Sequence, residues 1–125
     1  MKKAVVAIIN NEDEIVIGKK IKQGVLSENW HLPGETVEGN ESYEEAIRRL
    51  GLEELGIKIE AKKLLSESQN NETIVRWYEC STYETGLKPG SDLADAKWVE
   101  RDKVKYLCGS KAVELWPSEV REYLA

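Results

Sequence analysis

Two adjacent glutamates, Glu53 and Glu54, are the residues whose type and spacing best suit chemistry on a charged substrate. Carboxylates supply the oxygen ligands that hard cations such as Mg²⁺ and Mn²⁺ prefer, and residues three or four apart point from one helix face. Such ions neutralise phosphate oxygens and activate water, and hydrolysis of a diphosphate needs both effects. A pair of glutamates on a helix is, however, more often a solvated face, so this spacing alone leaves both interpretations open.

The segment that carries the pair, residues 42–55, has helical periodicity. Asn40 or Ser42 can cap its start, and Gly56 is a natural stop. The apolar stripe of this predicted helix is Ala46, Ile47, Leu50 and Leu55. Gly51 lies in mid-helix, where a glycine either costs about 0.5–1 kcal/mol relative to alanine or marks close packing on the sheet.

Apolar runs separated by turn-type clusters predict the remaining elements. Residues 3–9 and 14–18 form a predicted hairpin. Further strands are predicted at 30–34, 57–65, 73–82 and 96–99, loops at 21–29 and 86–92, and a final helix at 117–124. The order of these elements predicts one mixed α/β domain spanning residues 1–125.

Composition excludes several classes of protein. The 125 residues are 41% apolar and 33% charged, as in an ordinary globular protein. Every apolar run falls well short of the roughly 20 residues that cross a bilayer, so we expect no membrane association. The net charge of −5 argues against general nucleic-acid binding, which needs a basic face. Cys80 and Cys108 lack metal-type spacing, which predicts reduced thiols and a cytoplasmic protein.

Residues 34–57 resemble the signature of the Nudix hydrolases, G-x5-E-x7-R-E-U-x-E-E-x-G-U, in which U is a bulky aliphatic residue. The matching positions are Glu41, Arg49, Glu53, Glu54, Gly56 and Ile57. Three positions depart from the signature. Glu35 replaces the first glycine, Gly51 replaces an aliphatic residue, and Leu50 replaces the first glutamate of R-E-U-x-E-E.

The resemblance implies both a fold and an activity. The implied fold is an α/β/α sandwich around a central mixed β-sheet. The implied activity is that of a MutT-like enzyme, a Mg²⁺- or Mn²⁺-dependent pyrophosphohydrolase. Its substrate would be a small molecule in which a nucleoside diphosphate is linked to another group.

The resemblance also assigns roles to residues that would touch metal or substrate. Glu53 and Glu54 would hold the metal and serve catalysis, together with the backbone carbonyl of Gly34. Lys19 and Lys20 end the second predicted strand, where relatives carry a basic residue that meets substrate phosphates. Lysines at strand ends ordinarily serve solubility, so this assignment is a hypothesis.

Three box residues have an implied structural role, and one acid is a further candidate ligand. Glu41 and Arg49 would form a charge pair that anchors the loop to the helix, and Gly56 would end that helix. Asp92 and Asp95 precede the last predicted strand, where relatives often carry an acidic residue. Of these two, Asp95 is our candidate for an additional metal ligand.

Leu50 is the departure that bears on activity, because leucine can neither ligate a metal nor accept a proton. Glu35 is a candidate replacement: it adjoins Gly34, so the carboxylate would be moved rather than deleted. The alternative hypothesis is a binding module that keeps a nucleotide or phosphate-ligand pocket but has lost efficient turnover.

A third hypothesis is an interaction domain, which would need an exposed apolar surface. The apolar residues of the tail are Leu115, Trp116, Val120, Tyr123 and Leu124. They would serve homodimerisation, although packing within their own domain is the simpler interpretation.

Overall fold

The computed structural model describes residues 1–22, 25–26 and 28–125. It contains a sheet of seven strands. The strands are β1 (Lys2–Asn11), β2 (Glu14–Lys22), β3 (Val25–Leu26), β4 (Gly34–Thr36), β5 (Glu60–Asn70), β6 (Thr73–Ser81) and β7 (Leu93–Glu100). The apolar, β-branched run of residues 4–9 makes β1 the central strand, since such a run suits burial on both faces.

The sheet is mixed. Its order is β3-β2-β1-β6-β5, with β4 also paired to β1 and β7 to β2. β1 and β6 run parallel from Lys2–Thr73 to Asn10–Ser81. The other named strand pairs are antiparallel.

A short segment of chain lies between β1 and β2 where these two strands part. The two strands pair beside their connecting turn. Farther along, His31 forms a bridge with Gly18 of β2. Gly34 then pairs with Val6 of β1. We call residues 31–36 the fork segment, because it crosses from one strand to the other.

The helices lie in two regions of the chain, one after β4 and one after β7. They are α1 (Tyr43–Leu50), α2 (Val104–Cys108), α3 (Ser110–Leu115) and α4 (Ser118–Tyr123). Ser42 rather than Asn40 caps α1: its Oγ accepts from the Glu45 amide at 3.0 Å, and the Glu45 carboxylate accepts from the Ser42 amide at 2.8 Å. This reciprocal pair satisfies two amides that the first helical turn cannot bond internally. Among the described residues, no helix is long and apolar enough to cross a membrane.

Two apolar clusters cover the two faces of the sheet. One contains Val5, Ala7, Ile9, Val16, Ala46, Ile47, Leu50, Leu55, Ile57, Ile59, Tyr78, Cys80 and Leu93. The other contains Ile8, Ile15, Ile17, Leu32, Val104, Cys108, Trp116, Val120 and Leu124. Because side chains of a strand alternate between faces, β1 serves both clusters. With α1 on one face and α2–α4 on the other, the fold is the expected α/β/α sandwich around a mixed sheet.

The tail packs within the molecule for the most part. Trp116, Val120 and Leu124 are buried in the second cluster, whereas Leu115 is 82% exposed.

Two predictions around the fork segment were wrong. Residues 21–29 were expected to be loop, but Val25–Leu26 pairs with the end of β2; residues 23, 24 and 27 lie outside the described residues. A strand was expected at 30–34, but the ladder with β1 begins at Gly34. The chain changes partner strand here, and Pro33 has no amide hydrogen to donate to a ladder.

Other boundaries moved, and two helices were not foreseen. β5 begins at Glu60 rather than at residue 57, and β7 is longer than the expected 96–99. α2 and α3 precede the expected final helix. Each is six residues or shorter, too short for a 3.6-residue period to stand out.

Candidate metal and substrate site

A buried carboxylate without hydrogen-bond partners marks the candidate site. Glu54 is 1% exposed. Neither of its carboxylate oxygens has a hydrogen-bond partner among the described residues. Burial raises the pKa of this carboxyl well above its ordinary value, and the neighbouring charge of Glu35 raises it further. Buried polar groups are nearly always satisfied, so this site calls for a positive partner.

A π-helical turn places Glu54 inside. Helix α1 continues as a π-helical turn at Gly51–Leu55, which ends at Gly56 with φ 67°. A π turn holds more residues than an α turn, so side chains after Leu50 are rotated relative to an α-helix. Glu54 consequently points inward, whereas the Glu53 side chain is 52% exposed.

Gly51 allows this turn to lie against the following strand. A Cβ at Gly51 would stand 2.8 Å from both the Ile57 carbonyl oxygen and the Ile59 side chain. The Gly51 carbonyl accepts from the Ile57 amide at 3.0 Å. Of the two explanations for a mid-helix glycine, close packing is therefore correct.

The loop before β7 covers the carboxyl end of this helix. The Glu54 carbonyl accepts from the Gly90 amide at 2.9 Å, and the Leu55 carbonyl from the Lys88 amide at 2.8 Å. The loop then brings Asp92 to β2, with its Oδ2 4.0 Å from Nζ of Lys20. Lys20 and Asp92 lie close enough to alter the pKa of Glu54 in opposite directions.

The fork segment supplies the other side of the site. Ala7 donates to the Pro33 carbonyl at 2.9 Å, and Val37 donates to the Lys3 carbonyl at 2.8 Å. Because hydrogen-bonded pairs alternate in an antiparallel ladder, the Gly34 carbonyl is directed away from β1. Glu35 follows directly, and among the charges of the described residues it has the largest effect on the pKa of Glu54.

Arg49 ties the loop before α1 to the helix. Its Nη2 lies 2.8 Å from Oε1 of Glu41 and donates to the Thr36 carbonyl at 2.7 Å. Its Nη1 lies 3.1 Å from Oε2 of Glu53 and 3.7 Å from Oε2 of Glu35. The Arg49 hydrogen bonds lower the pKa of Glu41 below its usual value. The expected pair of Glu41 and Arg49 is thus brought together, and Glu53 joins it.

The lysines of β2 take different surroundings. Nζ of Lys19 lies 5.1 Å from the ring centre of Trp30, and Nζ of Lys97 lies 4.4 Å from the same ring. Such cation–π contacts hold both ammonium groups beside one aromatic face. Lys20 instead points toward Asp92.

His31 lies beside this cluster. Its Nδ1 is 3.4 Å from the Leu32 carbonyl oxygen, and its Nε2 is buried without a hydrogen-bond partner among the described residues. Burial, and then the charge of Lys20, lower the pKa of the ring. His31 is therefore a neutral, partly buried residue at neutral pH.

The structure separates residues that the sequence grouped together. Glu35 lies on β4 directly after Gly34, close enough to Glu54 for its charge to act on that carboxyl. Leu50 is fully buried in the first apolar cluster. Asp95 is exposed, and its Oδ1 accepts from the Ala96 amide at 2.9 Å.

Asp92 and Asp95 could not be told apart from sequence, but only Asp92 lies close to Lys20 and Glu54 in the structure. Gly90 is the sequence feature that could have pointed to Asp92. In the structure a Cβ at Gly90 would stand 2.7 Å from the Glu53 carbonyl oxygen, so the loop needs glycine there to approach the helix. A glycine two residues before an acid is compatible with a loop pressed against the helix end. The sequence alone does not say which helix.

A divalent ion at Glu54 would need further oxygen donors nearby. Among the described residues, no group of three or more histidine, cysteine, aspartate or glutamate side chains is placed to hold a metal. Two carboxylates, Glu35 and Glu54, and the Gly34 carbonyl are available. Mg²⁺ is often held by one or two carboxylates and keeps several waters, so this oxygen donor set fits such an ion.

Residues 1–120 match the NUDIX domain family. The chain belongs to the Nudix family. The match covers nearly the whole chain, including the box, the fork segment and the loop before β7.

Solved Nudix structures share the fold. A NUDIX hydrolase from Nitrosomonas europaea matches with a TM-score of 0.80 at 17% identity, covering 98% of this chain and 69% of that one. An ADP-ribose pyrophosphatase from Streptococcus suis matches at 0.70 and 19%, covering 98% and 87%. A MutT structure from work on Aliivibrio salmonicida and Vibrio cholerae matches at 0.71 and 19%, covering 98% and 95%. At these identities the likeness concerns the fold.

Proposed function

We propose that this Nudix protein is a Mg²⁺- or Mn²⁺-dependent pyrophosphohydrolase. Its substrate would be a small molecule in which a nucleoside diphosphate is linked to another group. The observation that carries the proposal is Glu54, a carboxylate buried to 1% exposure with both oxygens unpartnered among the described residues. A buried carboxylate is costly unless a cation compensates it, and a metal-dependent hydrolase supplies that cation.

The residues have separate tasks in this proposal. Glu54 holds the metal with the Gly34 carbonyl, and Glu53 and Asp95 are the more exposed candidate ligands. When bound, the ion supplies charge neutralisation on phosphate oxygens and an activated water. Lys19 and Lys20 offer ammonium groups to the substrate phosphates at the end of β2.

Scaffold residues keep this arrangement in place. Arg49 and Glu41 fix the loop that follows β4, so that Glu35 and Gly34 keep their position relative to the helix. The Gly56 turn ends the helix and leaves its last carbonyls to the loop before β7.

The same proposal has consequences for the whole protein. Residues 1–125 act as one Nudix domain. The buried, free thiols of Cys80 and Cys108 suit a reducing compartment, which supports a cytoplasmic location. Homodimerisation through the tail would depend on Leu115, a large apolar tail residue that stays 82% exposed.

A hydrolysis panel tests the activity. Purified protein would be incubated with ADP-ribose, nucleoside triphosphates and dinucleoside polyphosphates, with Mg²⁺, with Mn²⁺ or with EDTA. We expect metal-dependent release of phosphate products that collapses in Glu54→Gln. Glu60→Gln is the control, because Glu60 lies on β5 in a half-exposed pair with Arg48.

One observation favours a second function, a nucleotide-binding module without efficient turnover. Leu50 occupies a box position that carries a glutamate in the signature, and its side chain is fully buried. In that case nucleotides would raise the melting temperature of the wild type while the panel yields no product.

A further inference from the structure

We propose that Glu35 supplies the carboxylate that Leu50 removes from the box. The metal site of this chain would then lie between β4 and the helix end, with Glu35 and Glu54 as its side-chain ligands. The Gly34 carbonyl would be the third protein ligand. This inference rests on the proposed function and specifies how its metal is held.

The Leu50 side chain lies in the hydrophobic core and not at the proposed metal site. It is fully buried in the first apolar cluster, with Ala46, Ile47 and Leu55 of the same helix. An α-helix would present positions 50 and 54 on one face, but the π turn begins between them, at Gly51. The helix therefore offers the site one inward carboxylate, that of Glu54.

Glu35 is placed where a second carboxylate is needed. It lies on β4 one residue after Gly34, in the segment that crosses from β2 to β1. The backbone amide of Thr36 donates to its Oε1 at 3.0 Å, which orients the carboxylate locally. Among the charges that the structure describes, that of Glu35 acts most strongly on the Glu54 carboxyl.

Glu53 is engaged elsewhere. Its carboxylate receives a hydrogen bond from Nη1 of Arg49 at 3.1 Å, and its side chain is half exposed. Glu35 is held more loosely by the same nitrogen, at 3.7 Å, with a side chain only 23% exposed. Of these two carboxylates, Glu35 is the less exposed and the less firmly paired.

Two carboxylates beside each other repel, and one of them is buried without partners among the described residues. A bound divalent cation turns this repulsion into shared coordination. Relative to the signature, glutamate replaces glycine at position 35 and leucine replaces glutamate at position 50. In this proposal the first replacement compensates for the second.

Direct measurement of Mn²⁺ binding tests the inference without relying on activity. Free Mn²⁺ would be followed by electron paramagnetic resonance in titrations of the wild type, Glu35→Gln, Glu54→Gln and Glu38→Gln. Glu38 is the matched control, because its carboxylate also lies near Nη1 of Arg49, at 3.8 Å, but is 68% exposed. Melting curves in EDTA would establish that each variant is folded.

We expect Glu35→Gln to weaken Mn²⁺ binding by about tenfold or more, since loss of even a supporting residue costs that much in metal sites. Glu54→Gln should do the same, and Glu38→Gln should stay within about twofold of wild type. Glu35→Asp keeps the charge and should recover part of the affinity. If glutamine at position 35 folds and binds Mn²⁺ like wild type while Glu54→Gln does not, Glu35 is not a ligand but the metal-dependent function stands. If wild type binds no Mn²⁺ at millimolar concentration, both proposals are wrong.

Discussion

At the scale of single residues, Glu54 sets a cost on the metal-free protein. Its pKa is raised in the folded state, so the folded protein favours the protonated carboxyl. The unfolded chain ionises near the ordinary value of 4.5 and binds fewer protons above it. Stability in EDTA therefore falls as pH rises from about 4.5 through the raised pKa, and levels off above it.

Glu54→Gln should remove this dependence on pH. In EDTA at neutral pH, we expect the variant to be more stable than wild type by about 1–3 kcal/mol, because it removes the buried charge, and each unit by which the pKa is raised corresponds to about 1.4 kcal/mol. The difference should shrink toward pH 4.5. Urea unfolding at several pH values measures it, with Glu60→Gln, which keeps Glu54, as a control that should follow the pH dependence of the wild type. A variant less stable than wild type at pH 7.5 in EDTA would contradict this account.

Leu50 gives a prediction of the opposite sign. Leu50→Glu restores the box signature but puts a carboxylate into a fully apolar cluster. We expect the metal-free variant to lose about 3–5 kcal/mol, the range seen when an uncompensated charge is left buried. Leu50→Met, which conserves volume, should cost less than about 1.5 kcal/mol. Thermal unfolding in EDTA compares the two, and an unchanged melting temperature for Leu50→Glu would show that position 50 opens to solvent.

At the scale of the element, the π-helical turn depends on a missing side chain. Gly51→Ala would gain up to about 1 kcal/mol of helix propensity. Its Cβ, however, would stand 2.8 Å from the Ile57 carbonyl oxygen, and overpacking of this kind typically costs about 1–3 kcal/mol. We expect a net loss of stability together with weaker Mn²⁺ binding.

Gly86→Ala is the control for this substitution. A Cβ at Gly86 has nothing within 4 Å. Denaturant unfolding of both variants separates the local clash from a general effect of replacing glycine. Equal stabilities would mean that Gly51 is not tightly packed against Ile57 and Ile59.

The helix itself could be predicted from sequence, but the direction of the side chains in its last turn could not. The 42–55 periodicity, the Ser42 cap and the Gly56 stop are local signals, and the structure shows all three. The π turn arises because Gly51 packs on residues 57 and 59 of the following segment. That contact is tertiary, and it decides that Glu54 is buried while Glu53 joins Arg49. Sequence spacing treated the two glutamates alike.

At the scale of the whole molecule, the sandwich could be predicted from the Nudix resemblance, whereas the site could be predicted only in part. Element order alone gave a mixed α/β domain. The loop before β7 approaches the helix end through backbone hydrogen bonds of Lys88 and Gly90. Backbone contacts leave little trace in side-chain identity, so the location of Asp92 beside Lys20 needed the structure.

The parallel pairing of β1 with β6 has a kinetic consequence. It joins positions about 70 residues apart, as in the contact between Asn10 and the Cys80 carbonyl. Closing so long a loop is slow, and we expect it to occur after much of the chain has already folded. Gly34 and Glu35 are paired to β1, and Glu54 lies at a helix end held by a later loop, so the proposed metal ligands converge only once this topology is complete. Mn²⁺ should accordingly slow unfolding while leaving the folding rate nearly unchanged, which stopped-flow chevrons with and without the ion would measure. During synthesis, metal binding would not stabilise the nascent chain until residues 73–81 and the loop before β7 had left the ribosome.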